Sequence, residues 1–471
     1  MPRFDFIFGI SLAYSYLCTP KMKPTTINLR RDVRFLTLPI FIEMLLVTLM
    51  GATDTFMLSQ YADEAVAAVG VANQLITFAF LVFQIINLGT TVLCSQYLGA
   101  GNRQKMEQVT AMALLLNIIS GAVISVILSA GAPLLLGWMG LKPDLMQYGL
   151  PYMQIAGAFA FFQALHLTVS ASLRADHKAI YPMMVVMLVN VVNIIGNYGL
   201  IFGNLGLPAL GVKGAAIATN ISRGVAAFTL FIILFTRHIS FRHLMEAFKA
   251  PMRELTHEMH NLLRIGLPSA GENMSYNAQQ VVLTYFINML GNTALTTRMY
   301  VVNAVMFAYI FCICIAQGAG ISIGHLVGEH RYRACYKLGW YALRLAVATT
   351  ISLSILFACL GRQIFTLITD NPDIIELGCT ILIIDIVVEI GKATNIYYTN
   401  VLRSVGDVNF PFYVGITIMW IVGVFCGWLF GLALGGGLIG MWFALILDEG
   451  IRGSIFVWRW KSKRWMQRSF V

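Results

Sequence analysis

Two stretches decide the fold: LTLPIFIEMLL at residues 36–46 and IGLPSAGENMS at residues 265–275. Each is an apolar run carrying one proline and, one turn later, one glutamate: Pro39 with Glu43, and Pro268 with Glu272. The two pairs lie 229 positions apart, and that offset keeps finding equivalent residues without a gap. Gly89 meets Gly318, Gly99 meets Gly328, and Pro143-Asp144 meets Pro372-Asp373. Leu173-Arg174 meets Leu402-Arg403, Pro182 meets Pro411, Gly211 meets Gly440, and Arg223-Gly224 meets Arg452-Gly453. Overall identity between the halves is low. The weight lies in which residues match, because Gly, Pro, Arg and Glu have backbone or charge consequences in an apolar helix.

Composition says what kind of unit is repeated. Of 471 residues, 58% are hydrophobic and 11% charged, against roughly 25% charged in a soluble globular chain. Mean hydropathy is +0.75. So few charges cannot cover a water-facing surface, and disorder requires low hydrophobicity. Eight scattered cysteines without paired spacing exclude a disulfide scaffold. What remains is an all-α polytopic membrane protein, with room for about a dozen spans of roughly 20 residues.

Twelve apolar helices are expected, near 33–59, 66–93, 109–139, 144–171, 180–203, 211–236, 261–290, 295–323, 338–367, 373–402, 410–433 and 437–458. Basic residues crowd alternate gaps: Arg30, Arg31 and Arg34, then Arg103 and Lys105, Arg174 and Lys178, Arg331, Arg333 and Lys337, and Arg403. The opposite gaps hold little beyond Lys142. Positive loops stay inside, so both termini are expected in the cytoplasm of a multi-pass cell-membrane protein. The organisation expected is an N-terminal extension at 1–29, an N-lobe at 30–236, a cytoplasmic connector at 237–260, a C-lobe at 261–458 and a basic tail at 459–471. Phe4 to Leu17 is too short an apolar run to span, and residues 1–21 read as an extension ahead of Met22. With six helices each, the two halves enter the membrane in the same direction and are expected to be related by a two-fold axis along its normal. Twin bundles with a seam between them suit alternating access, in which cargo binds in the seam and rocking opens it to one side, then the other.

Several stretches carry a resemblance to a known family: DTFMLSQYADEAVAAVG (54–70), SQYLGAGN (95–102), NVVNIIGNYGLIFGNLGLPALGVKGAAIAT (190–219), RIGLPSAGENMSYN (264–277) and LRSVGDVNFP (402–411). In order and spacing over twelve spans the chain resembles the multidrug and toxic compound extrusion (MATE) family of cation-coupled efflux transporters. The resemblance implies two six-helix lobes and export of amphipathic, often cationic compounds in exchange for H⁺ or Na⁺. No cofactor is implied. The expected partners are small organic substrates and the lipid bilayer, with the chain working as a monomer.

An ionisable side chain inside hydrocarbon costs several kcal/mol, so each one present is paired, hydrated or useful. Asp54 lies about 30 Å along its helix from Arg34, and its mate at the repeat offset is Leu283. It matches the family's first-span aspartate, implicated in ion coupling; the plainer reading is a hydrated carboxylate at the membrane rim. Asn193 and Asn197 sit one turn apart, and the resemblance places an aspartate at the second position in much of the family. The substitution leaves the choice between H⁺ and Na⁺ open, Na⁺ at Asp54 included. Glu43 and Glu272, each beside a proline that can kink its helix, are expected to face a central cavity, with Glu272 the better placed for a cationic substrate. Some branches of the family carry the seventh-helix acid two turns past the proline, where this chain has Tyr276. Glu389 and Lys392 are spaced to neutralise each other, which leaves Asp385 as a substrate-site candidate without an evident partner. Asp448 and Glu449 read as an ion pair with Arg452, while Arg223 has no evident partner.

Other chemistry has no sequence support. No Walker loop, HExxH or dinucleotide fingerprint is present, and no set of groups converges as an enzyme requires. A lipid-linked precursor exporter is the alternative transporter; it calls for a large basic cavity, whereas the spans hold only Arg223, Arg298, Arg344, Arg362, Lys392 and Arg452. The basic, tryptophan-rich tail suits anionic lipid rather than nucleic acid.

Overall fold

The computed structural model describes residues 26–248 and 251–470, and every regular element among them is a helix. The expected extension over residues 1–21 lies outside the described residues. The first half comprises α1 (Thr26–Ser59), α2 (Asp63–Gly99), α3 (Arg103–Ala130), α4 (Ala132–Trp138), α5 (Pro143–Ala158), α6 (Ala160–Ala175), α7 (Ile180–Phe202) and α8 (Val212–His238). A short connector helix α9 (Phe241–Phe248) leads to the second half. There α10 (Met252–Met289), α11 (Asn292–Gly328), α12 (Tyr332–Cys359), α13 (Gly361–Thr366), α14 (Pro372–Ser404), α15 (Asn409–Ala433) and α16 (Gly437–Lys461) repeat the pattern. Among the described residues eight helices are long and apolar enough to cross a membrane alone, and α5 with α6 forms a further, broken span. The long helices α10, α14 and α16 carry the charged residues discussed below and complete twelve spans in two parallel sets of six.

Local signals set the boundaries. Asn102 caps α3 by accepting the Lys105 amide at 3.1 Å. Asn371 caps α14, with Pro372 in the first turn. Gly203, at φ 77°, ends α7 in the left-handed region that glycine tolerates. Pro39 and Pro268 lie inside helices that continue through them.

Three features depart from the sequence reading. The fourth span is two helices meeting at 47°, because Phe159 (φ −113°, ψ 25°) leaves helical geometry. The freed Phe161 amide donates to Ser125 Oγ at 3.3 Å, and the Phe159 and Phe162 rings stack at 5.9 Å beside the break. α15 contains two π-helical turns, Met419–Val424 and Leu429–Ala433, of the kind that recurs at functional sites. The tail beyond α16 folds back: Trp465 is buried and stacks on Trp460 at 4.2 Å, while in the last turn of α16 itself Arg459 pairs with Asp407 at 2.7 Å.

The lobes meet through α1 and α2 on one side and α10 and α11 on the other. A Cβ on Gly99 would collide with the His325 backbone, and one on Gly328 with the Gln96 backbone. Gln96 and His325 are themselves 229 positions apart. Gly89 lies against Leu262, and its mate Gly318 lies against Leu36 and Thr37. The first pair of contacts is reciprocal at that offset, as a two-fold relation produces, and the second joins equivalent helices about one turn apart. All four glycines belong to the halves of α2 and α11 that run toward the basic loops, so this end of the seam is closed.

Candidate functional site

In the N-lobe, α1 and α7 pack side by side and bring together three residues far apart in sequence. Asn197 Nδ2 donates to Asp54 Oδ1 at 2.6 Å and to Asn193 Oδ1 at 3.3 Å. Both asparagines are fully buried and Asp54 is half-buried. Among the described residues, Asn193 Nδ2 and Asn197 Oδ1 have no hydrogen-bond partner. The cluster thus has one carboxylate, one direct donor and two unused amide atoms. Arg223 lies within electrostatic reach of Asp54 and Tyr152, and its guanidinium also stacks over the Phe80 ring at 5.3 Å.

The two proline-flanked glutamates are not free. Glu43 Oε1 accepts from Arg174 at 2.8 Å, and Glu272 Oε2 from Arg403 at 2.7 Å. Both partners match at the same 229-residue offset, so one ion pair is built twice. Taking Arg174 and Arg403 as loop charges misses this; their shared offset with the glutamates was the available signal. A small cavity of about 110 Å³ lies on the seam between the two arginines, lined also by Asn87, Gln317 and Asn400.

A larger cavity of about 240 Å³ lies mostly in the C-lobe and reaches Gln84 and Leu88 of α2. Glu272, Tyr276, Lys392, Asn395, Glu449 and Arg452 line it, so charges and neutral hydrogen-bonding groups share the wall. The charges are largely cross-linked. Lys392 pairs with Glu389 at 2.6 Å. Arg452 reaches Asp448 at 2.7 Å and Glu449 at 3.0 Å. Glu449 also accepts from Asn395 at 2.7 Å, and Asp448 from Gln279 at 3.0 Å. Asp385 has a partner the sequence does not reveal, the Trp442 indole N–H at 2.8 Å, while its Oδ2 has none among the described residues. Asp385 is not among the residues lining this cavity, and neither is Glu43.

Outside the spans, Asp176 sits in the turn after α6, beside Lys178 at 2.6 Å and His238 Nδ1 at 3.0 Å. Burial pushes its carboxyl up, but the hydrogen bonds from His238 and Lys178 and the Lys178 charge outweigh it. The net result is a carboxyl well below the usual range.

Comparison with known proteins agrees with this architecture. The MatE family model matches twice, over residues 39–199 and 268–429. A Bacillus subtilis relative described as an uncharacterized transporter, YisQ, is 38% identical over 443 residues, covering 93% of this chain and 95% of the relative. A Thermotoga maritima relative described as a probable multidrug resistance protein, NorM, is 24% identical over 94% of this chain and 95% of its own. A solved outward-facing multidrug resistance MATE family transporter of the MOP superfamily superimposes with TM-score 0.83 at 20% identity, covering 94% of this chain and all of that one. A MATE crystal structure in the bent conformation gives 0.84 at 20% identity, covering 94% of this chain and 98% of that one. With both halves matched by the family model at the offset found in the sequence, the chain belongs to the MatE family of multi-pass membrane transporters.

Proposed function

We propose that the chain is a secondary active antiporter that exports amphipathic, often cationic compounds in exchange for H⁺ or Na⁺. In this reading residues 30–236 and 261–458 are the rocking lobes, and the basic loops and both termini face the cytoplasm. The observation that carries it is the Asp54–Asn197–Asn193 cluster, a carboxylate held by an amide beside two unused amide atoms. A proton arriving at Asp54 competes for the oxygen that Asn197 holds. A sodium ion finds oxygens from the same three side chains once the amides turn. Either event favours one packing of the lobes, and cargo in the cavity near Glu272 and Tyr276 favours the other. A ligand shifts such an equilibrium only by its differential affinity for the two states, so ion and cargo bind almost exclusively of one another. The cations lining the cavity, Lys392, Arg403 and Arg452, each have a carboxylate partner, which speaks against a polyanionic lipid-linked cargo.

The test is uptake of a fluorescent organic cation into proteoliposomes under separately imposed pH and Na⁺ gradients. Wild type responds to one gradient, and Asp54→Asn inserts but responds to neither. Wild-type rates in Asp54→Asn would sink the coupling role. No gradient-driven flux in wild type would sink antiport itself.

A further inference from the structure

The closed end of the seam is bridged by two side-chain hydrogen bonds of common origin. Gln96 Nε2 on α2 donates to the Ser404 carbonyl at 2.8 Å. His325 Nε2 on α11 bonds the Ala175 carbonyl at 2.6 Å; a carbonyl only accepts, so this ring nitrogen carries the proton. The two donors are 229 positions apart, and so are the two acceptors.

The acceptors are not arbitrary. Ala175 and Ser404 are the last residues of α6 and α14, and last-turn carbonyls have no partner within their own helix. The turns that follow have the same shape. His177 (φ 55°) and its mate Gly406 (φ 94°) both take the left-handed conformation. The Lys178 and Asp407 amides return to the Leu173 and Leu402 carbonyls, each at 2.9 Å. Each lobe therefore supplies the cap for a helix end belonging to the other. The two caps differ in their support. Gln96 Oε1 also accepts the Phe470 amide at 3.0 Å, tying the folded-back tail to the seam. The His325 ring instead lies 4.4 Å from that of His177.

We propose that Gln96 and His325 are paired positioning residues of the transport cycle, crossed helix caps that hold the basic-loop end of the seam shut. Opening this end uncaps both helices together, so the caps set how often the lobes part there. This rests on the alternating-access reading, but its test needs neither cargo nor gradient. Hydrogen–deuterium exchange is read on protein in lipid nanodiscs, over segments 171–178 and 401–407. Losing one cap removes a hydrogen bond of roughly the size that changes an equilibrium tenfold. Gln96→Leu is therefore expected to speed exchange about tenfold in both segments, although segment 171–178 lies at the other cap. His325→Leu does the same from the opposite side, and serves alone if Gln96→Leu does not fold. His325→Gln, which keeps a donor, stays near wild type. Faster exchange confined to the segment at the mutated cap would overturn the proposal, as would an unchanged rate in both. A flux assay without transport would remove the antiporter reading and leave the exchange result standing.

Discussion

The two lobes share a frame and differ inside it. Each has a glutamate one turn past a proline, bound to an arginine at the end of the fourth span of the same half. Around that common pair, the N-lobe places one carboxylate, Asp54, against two asparagines. The C-lobe replaces these by Leu283, Val422 and Cys426. It sets Asp385, Glu389, Lys392, Asp448, Glu449 and Arg452 where the N-lobe has Ala156, Ala160, Gln163, Thr219, Asn220 and Arg223. The frame therefore holds the architecture, and the departures from it hold the chemistry. The N-lobe cluster is sparse and has spare amide atoms, which is why the proposed antiport places the ion there. The C-lobe network is dense and cross-linked by ion pairs and hydrogen bonds, and several of its members line the larger cavity.

The sharpest way to break this contrast is to neutralise one acid in each lobe. Asp54→Asn is expected to abolish gradient-driven flux, while Asp385→Asn retains it, both measured in proteoliposomes at equal protein. The reverse result would move the coupling site to the C-lobe. The shared frame is tested by stability. Arg403→Met leaves Glu272 buried and unpaired and is expected to cost about 3–5 kcal/mol, read as a lowered unfolding temperature. Arg174→Met should cost less, because Arg174 is 18% exposed against 8% for Arg403. Equal losses would mean that burial does not distinguish the two pairs. Asp176 has no counterpart acid in the C-lobe, where Val405 takes its place. Its lowered native carboxyl pKa adds stability that is full above the unfolded-state value near 4 and is lost as pH falls toward the native value. The stability gap between wild type and Asp176→Asn should therefore shrink on acidification; a constant gap contradicts the pairing with Lys178 and His238. The smallest effect is expected from Tyr276→Phe, a several-fold weaker half-saturation for cargo with the ion dependence unchanged. An altered ion dependence would show that cavity and ion cluster are not divided between the lobes.

Much of the fold could be read from the chain because hydrocarbon tolerates few structures. Apolar length set the spans, and rare residues at one offset set the duplication. The meeting of Asp54 with Asn193 and Asn197 was legible through the family resemblance, which marks both the first-span aspartate and the position of Asn197; no spacing rule joins residues on α1 and α7. The partners of Glu43 and Glu272 were not read, because Arg174 and Arg403 lie at helix ends where a basic residue also serves as a loop charge. The Asp385–Trp442 bond joins α14 to α16, and no spacing rule links residues on different helices. The break at Phe159 was hidden as well: no proline or glycine stands at that position, and the bend depends on Ser125 of another helix receiving the freed amide.

The crossed contacts at the seam carry a consequence for how such a molecule can change. Two separate copies of one six-helix subunit would meet through identical faces, so any alteration of that face would strike twice. Joined in a single polypeptide, the copies can be altered one at a time. That freedom is what allows Gln96 on one side and His325 on the other, and a lone Asp54 with only a leucine across the axis.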